Sequence, residues 1–283
     1  MAGAGRPRPA GGVSPGAVSR YGWGDCRAVG NGRRGGWMGE VRRGQFGERG
    51  AVAKRSGSVE GLGIDRPKSL AVLVAERLRE AIVSTELQLG QALSEEQIAA
   101  TMNVSRTPVR EALTMLQLQG LIDIKPQRGS FVFKPDAEDI AALVAYRHIL
   151  EMAAAPLALS VAPEATLRDL AASVAMMEAA RAEDHPLDFA RADSLFHQAF
   201  FTHCGNRYLS EAYGIASGRL AALRAHLAAP LTMHRSRAHA DHLDMIEAFR
   251  AGDATRLLAV LGRHILAMTD NYVGALKETG SVR

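Results

Sequence analysis

Cysteine and aromatic residues are scarce in this 283-residue chain. The two cysteines, Cys26 and Cys204, lie far apart and fit no ligand or redox spacing. That excludes a disulfide scaffold and a Cys-based metal module, and it suits a reducing compartment. Aromatics make up only 5% of the chain while hydrophobic residues reach 47%, with Ala and Leu frequent in the second half. Such a composition disfavours a β-sandwich and favours helices. No uninterrupted apolar run reaches the roughly 20 residues that span a bilayer. Nor does an apolar stretch of the secretory-leader kind follow the Arg-bearing start. The expectation is a cytoplasmic protein with no membrane partner.

A strong charge imbalance is missing too, despite a pI of about 9.3. Residues 1–65 carry a net charge of +6, so the rest of the chain, in a total of +4, is net −2. Residues 66–134 are about +2 and 135–283 about −4. Any binding of nucleic acid must therefore rest on local placement of Arg rather than on overall charge. Residues 1–65 also hold 18 of the 28 glycines and show no apolar periodicity, which predicts a disordered tail. A solvated tail, an Arg/Gly arm on DNA phosphates and a translation start further on, for example at Met38, are all compatible with that composition.

Past this segment the patterning changes. Leu70, Val74, Leu78 and Ile82 recur at helical spacing, giving a helix over about 69–84. Ser94 followed by Gln97 reads as a capping box that opens a second helix. Asn103 tolerates left-handed backbone and suits a tight turn. Ser105 caps a third helix running to about Gln119, with Val109, Ala112, Leu113 and Leu116 inward and Gly120 as its stop. Short extended segments over 121–125 and 130–133 flank the turn Pro126-Gln127-Arg128-Gly129. Three helices and a β-hairpin in this order make a winged helix-turn-helix.

Such a motif sets the start of its second helix in the major groove. Arg106 and Arg110 are four apart and share a face. A guanidinium there can grip guanine O6 and N7 with two parallel hydrogen bonds. Ser105, Thr107 and the free N–H groups of the helix start suit phosphate oxygens. Arg128 and Gly129 form a narrow wing tip that fits the minor groove. The alternative is that both arginines are solvated, with Arg110 paired to an acidic residue.

From residue 135 onward helical patterning continues, with expected helices over about 136–160, 164–183, 186–203, 206–228, 232–251 and 253–275. Breaks fall at Pro163, Pro186, Gly205-Asn206, Pro230 and Gly252-Asp253. Short links between six helices predict an antiparallel bundle. All nine histidines lie here. Asp193 and His197 are four apart on one helix, while His242 and His264 lie on two others. A carboxylate and three imidazoles can hold a divalent transition metal, zinc first, with nickel and manganese as alternatives. Spacing alone leaves this open, because a histidine on an apolar face is more often a satisfied core residue, and His148, His185, His203, His226, His234 and His239 offer many other combinations.

The stretch LSEEQIAATMNVSRTPVREALTMLQLQGLIDIKPQRGSFV resembles the winged helix-turn-helix of the GntR family. The pieces YRHILEMAAAPLA, DSLFH, GNRYL and DHLDMIEAFRAGD with GRHI resemble the FCD domain, the helical sensor of the FadR subgroup of that family. The resemblance covers about residues 66–275 and implies a mainly α protein. It implies a disordered tail over 1–65, a DNA-binding winged helix-turn-helix over 66–134 and a helical effector- and metal-binding domain over 135–283. It further implies Asp193, His197, His242 and His264 as metal ligands and Arg147 as a contact to a small carboxylate effector, with Asn206 and Arg219 as weaker effector candidates. Against Arg147 stands a plain ion pair with Glu151, four residues on. A homodimer on operator DNA, repressing transcription until its ligand binds, follows from the same resemblance. The rival is a helical metalloenzyme of the metal-assisted hydrolase type with an appended DNA-binding domain. Against it, no Ser/His/Asp or Cys/His arrangement is apparent, so no catalytic residue is expected.

Overall fold

The computed structural model describes residues 69–229 and 231–278. Expectations for the tail over 1–65, for Cys26 and for Pro230 lie outside these residues. All the described residues belong to one compact unit.

The N-terminal head opens with α1 (Leu70–Val83), whose cap Ser69 accepts a hydrogen bond from the Val72 N–H. Val74, Leu78 and Ile82 are buried at the spacing that the sequence suggests. Helix α2 (Glu95–Met102) starts at Ser94, whose side chain accepts from the Gln97 N–H. It ends at Asn103, which takes the left-handed conformation at φ 52°. Helix α3 (Arg106–Leu118) follows and buries Val109, Ala112, Leu113 and Leu116 against α1 and α2. Strands β2 (Ile122–Lys125) and β3 (Gly129–Val132) form the hairpin, pairing Ile122 with Val132 and Lys125 with Gly129. A short strand, β1 (Ala92–Leu93), adds to the far side of β3, giving the antiparallel order β1-β3-β2. The sequence gives no hint of β1: its two residues are extended because β3 offers them a free edge.

Six helices follow: α4 (Ala137–Val161), α5 (Pro163–Ala182), α6 (Pro186–His203), α7 (Arg207–Leu223), α8 (Thr232–Arg250) and α9 (Ala254–Glu278). Asp136 and Asp139 form a reciprocal capping box at the start of α4, and Pro163 and Pro186 occupy first turns, where a missing N–H costs nothing. The expected helix over 206–228 is divided. Its α-helical part ends at Leu223, and Arg224–Ala228 form a π-helical turn. Among the described helices α4 alone is long and apolar enough to cross a membrane. Here it is packed by α9, α6 and α7 and carries two buried charges, Arg147 and Glu151.

Head and bundle meet along α7 and its π-helical continuation. An added Cβ at Gly218 would lie 2.9 Å from Leu121 of the head, so the close approach needs glycine. The His226 ring Nε2 lies 2.8 Å from the carbonyl oxygen of Ile82, at the end of α1. Arg191 of α6 pairs with Glu80 of α1 at 2.8 Å.

Candidate metal centre and DNA-reading face

Burial of a charged or polar side chain is costly unless a partner meets it, so the polar groups inside the bundle mark its functional centre. Asp193, His197, His242 and His264 are all at most 3% exposed. Each offers one ligand atom, and the four atoms lie within 4.8 Å of one another. Helix α6 supplies Asp193 and His197 from successive turns of one face, α8 supplies His242 and α9 supplies His264. The His242 Nε2 stands 3.4 Å from the His197 Nε2 and 3.4 Å from the Asp193 Oδ1. Bonds of about 2.0–2.2 Å to zinc put tetrahedral ligand atoms roughly 3.4 Å apart. The Nε2 of His264 is buried without a hydrogen-bond partner.

Surrounding carboxylates fix two of the three rings, while the Nδ1 of His242 is buried without a partner. His197 Nδ1 lies 2.6 Å from a Glu151 oxygen, and His264 Nδ1 lies 3.3 Å from Asp241. An ionised carboxylate at Nδ1 keeps the proton there and leaves the Nε2 lone pair facing inward, the usual support for a metal-binding imidazole. Burial, with Arg147 next in importance, pushes the His197 pKa well below the ordinary value, and burial together with His264 lowers that of His242 to about 3. Neutral imidazoles are the form that binds metal. Burial opposes ionisation of Asp193, but Arg224 beside it, then His197 and His242, outweigh this and hold its carboxyl well below the usual range. The donor set is one oxygen and three nitrogens, which suits zinc, nickel or manganese. The residues present fit such an ion.

Two arginines flank the cluster. Arg147 donates from Nε to Glu151 at 2.5 Å and faces Met268 with Nη1, while its Nη2 is buried without a partner. The anticipated Arg147–Glu151 pair therefore forms, and Glu151 uses its other oxygen on His197. Arg224 forms a buried ion pair with Asp193 and leaves its Nη2 unpartnered. Sequence reasoning missed Arg224. Its signal was a lone charge inside the apolar run LAALRAHLAA. The remaining effector candidates do not join the cluster. Asn206 is exposed and caps α7 by accepting from the Tyr208 and Leu209 N–H groups. Arg219 packs against Gly120 at the end of α3.

On the head, Ser105, Arg106, Thr107, Arg110, Arg128 and Gly129 are all exposed. Ser105 starts α3 but makes no side-chain cap hydrogen bond. Arg110 Nε pairs with Glu95 of α2 at 2.6 Å, and the Arg106 Nη2 lies 3.7 Å from the same carboxylate. Gln127 and Gly129 take left-handed backbone at φ 60° and 102° and carry Arg128 out at the wing tip.

Comparison with known proteins agrees with this architecture. Residues 70–132 match the model for bacterial regulatory proteins of the gntR family, and residues 142–267 match the FCD domain. An HTH-type transcriptional regulator in an unstable DNA locus of Streptomyces ambofaciens is 31% identical over 202 residues, 69% of this chain and 81% of that protein. The chain belongs to the GntR family of transcriptional regulators. Other members include the gluconate operon repressor of Bacillus subtilis, 32% identical over 50% of this chain and 58% of its own. The repressor RspR of Escherichia coli K12 is 36% identical over 43% of this chain and 53% of its own. A GntR regulator of Rhodococcus sp. RHA1 superposes with a TM-score of 0.66 at 25% identity, covering 74% of this chain and 99% of that one. The family comprises DNA-binding transcriptional regulators, not enzymes, so the hydrolase alternative falls away.

Proposed function

We propose that this GntR-family chain is a metal-containing repressor whose grip on operator DNA is set by a small carboxylate effector. The observation that carries the reading is the convergence of Asp193, His197, His242 and His264 in a buried cluster beside Arg147, whose Nη2 has no partner. A divalent transition ion held by these four side chains supplies Lewis acidity toward a carboxylate oxygen. Glu151 and Asp241 orient the imidazoles of His197 and His264, and Arg147 offers its free N–H to the same anion. The names of the Bacillus and Escherichia relatives support repression.

In the head, Arg106 and Arg110 read base edges, Ser105 and Thr107 hold phosphates, and Arg128 with Gly129 enters the minor groove. A homodimer would set two such heads on a pseudo-palindromic site. Coupling runs through α7 and its π-helical turn, which hold Arg224 on the cluster side and His226 on the Ile82 carbonyl of the head.

Metal content and operator binding of variants test the reading. His242→Ala and His264→Ala should each lose bound metal and thermal stability and blunt the operator response to effector, while basal DNA binding suffers less. Arg147→Ala should keep the metal and lose the response. Full metal stoichiometry in both histidine variants would show the four-residue site to be wrong.

A further inference from the structure

Three charged side chains at the seam between head and bundle, Arg219, Lys134 and Asp123, have no partner among the described residues. Arg219, on α7, packs its guanidinium against Gly120 at the end of α3. Its Nε is buried without a hydrogen bond. The C-terminal end of a helix attracts a cation, which accounts for where Arg219 lies but supplies no acceptor for that Nε. A buried donor left unmade is costly, more so on a charged group. Lys134, in the link from β3 to α4, and Asp123, on β2, are exposed.

All three line one cleft of about 500 Å³. Small-molecule sites have this size, favour seams between structural units, and set a few polar groups in an apolar lining. Here Phe133, Leu143 and Ala216 are buried apolar walls and Ile215 an exposed one. Asp139 also lines the cleft, with one oxygen already accepting from the Asp136 N–H. Two cations thus face two carboxylates. A single negative charge can settle on Arg219 and Lys134, whereas a second one would meet Asp123 or Asp139. None of the four residues of the Asp/His cluster lines this cleft.

We infer that the seam cleft is a second ligand site, for a singly charged carboxylate carrying an apolar body such as an aromatic ring. The carboxylate lies at Arg219, whose guanidinium offers paired donors, with Lys134 beside it. The body packs on Phe133, Leu143 and Ile215. The inference does not depend on the metal reading above. Gly120 and Asp123 belong to the head, Lys134 to the link, and Leu143, Ile215 and Arg219 to α4 and α7 of the bundle. An occupant therefore ties head to bundle and restricts how the head presents α3, so operator affinity responds to it.

The test uses the full chain. Titration calorimetry follows benzoate, phenylacetate and 3-phenylpropionate, each against its amide, with terephthalate and phenyl phosphate as doubly charged arms. At least one monocarboxylate should bind about ten-fold or more tighter than its amide, as expected when a charged hydrogen bond is lost, and tighter than either doubly charged compound. Arg219→Gln should bring the acid-to-amide ratio close to one, and Arg219→Lys should keep part of it. Ile215→Trp, which narrows the cleft, should weaken acid and amide alike. If Arg219→Gln does not melt cooperatively, the Lys and Trp variants decide. The acid that binds tightest should change the operator Kd of the wild type about five-fold or more, and leave that of Arg219→Gln unchanged. Amides that bind as well as acids, or no binding by any acid, overturns the inference. An acid bound at the Asp/His cluster would be untouched by Arg219→Gln and Ile215→Trp, and that result overturns it too. Tighter binding of phenyl phosphate or terephthalate overturns the singly charged class, and a wild-type operator Kd that does not move overturns the regulatory role. Light scattering guards against another occupant: a dimer lost in Ile215→Trp assigns the cleft to a second copy of the chain and overturns the ligand site.

Discussion

Glu95 occupies both arginines of the proposed base-reading face at once, and this decides how that face behaves without DNA. The contacts are exposed, with about 60% of each Arg side chain open to solvent. Exposed pairs are worth little, roughly 0–1 kcal/mol, so DNA phosphates and base edges can displace Glu95 at small cost. Arg110→Ala should then weaken operator binding by about 1–3 kcal/mol and flatten preference at one position per half-site. Equal affinity of wild type and variant in a salt-controlled titration would remove Arg110 from the site. Glu95→Gln should act the other way, strengthening binding to nonspecific and operator DNA alike. At this scale the sequence was informative where a residue type is unusual for its place. Arginines opening a capped helix, and Asp193 with His197 one turn apart, both qualify. Glu151 was legible only as an ion-pair partner, because its second contact, to His197 46 residues away, depends on how α4 and α6 pack.

Elements were readable wherever the chain itself carries their stops. Ser94, Asn103 and Gly120 mark the ends of helices that the structure places within a residue or two of the expected bounds. Two features escaped. β1 exists through pairing with β3, and no local signal announces two residues. The π-helical turn at Arg224–Ala228 continues an ordinary Ala/Leu helical pattern, and the extra residue appears only in the backbone. Such turns are rare and often sit at functional sites, and this one faces both the cluster and the head. Gly120 offers a test of the contact beside it. Its φ is +67°, and an added Cβ would lie 2.9 Å from the Arg219 guanidinium carbon. Gly120→Ala should cost about 1–2 kcal/mol, the penalty for left-handed backbone in an L-residue, measured by denaturant unfolding. Because Arg219 can swing aside, Arg219→Ala should leave most of that cost in place. If Arg219→Ala removed it, steric crowding rather than backbone strain would be its source.

For the molecule as a whole, the buried imidazoles set the dependence of stability on pH. Burial is the leading cause that lowers the pKa of His197, His226, His234 and His242 from the ordinary 6.5. The unfolded chain then binds more protons than the folded one once the pH drops below about 6.5, and stability falls as the solution is acidified. Their contribution is complete above pH 6.5 and is lost progressively toward the folded values, about 3 for His242. Asp193 adds a loss of the same sign, but only below its ordinary value of 3.8. Between pH 6.5 and 4, therefore, the histidines dominate. Metal-free protein should show a melting temperature that declines steadily from pH 7 to pH 5. Saturating zinc should raise the curve at pH 7, since a ligand that binds only the folded state stabilises it by mass action, and chelation should reverse the gain. His226→Gln should shallow the decline without touching the zinc effect, because His226 faces the Ile82 carbonyl rather than the cluster. A melting temperature unchanged between pH 7 and pH 5 in the metal-free protein would mean that these rings take up protons inside the fold, and that burial does not hold them neutral.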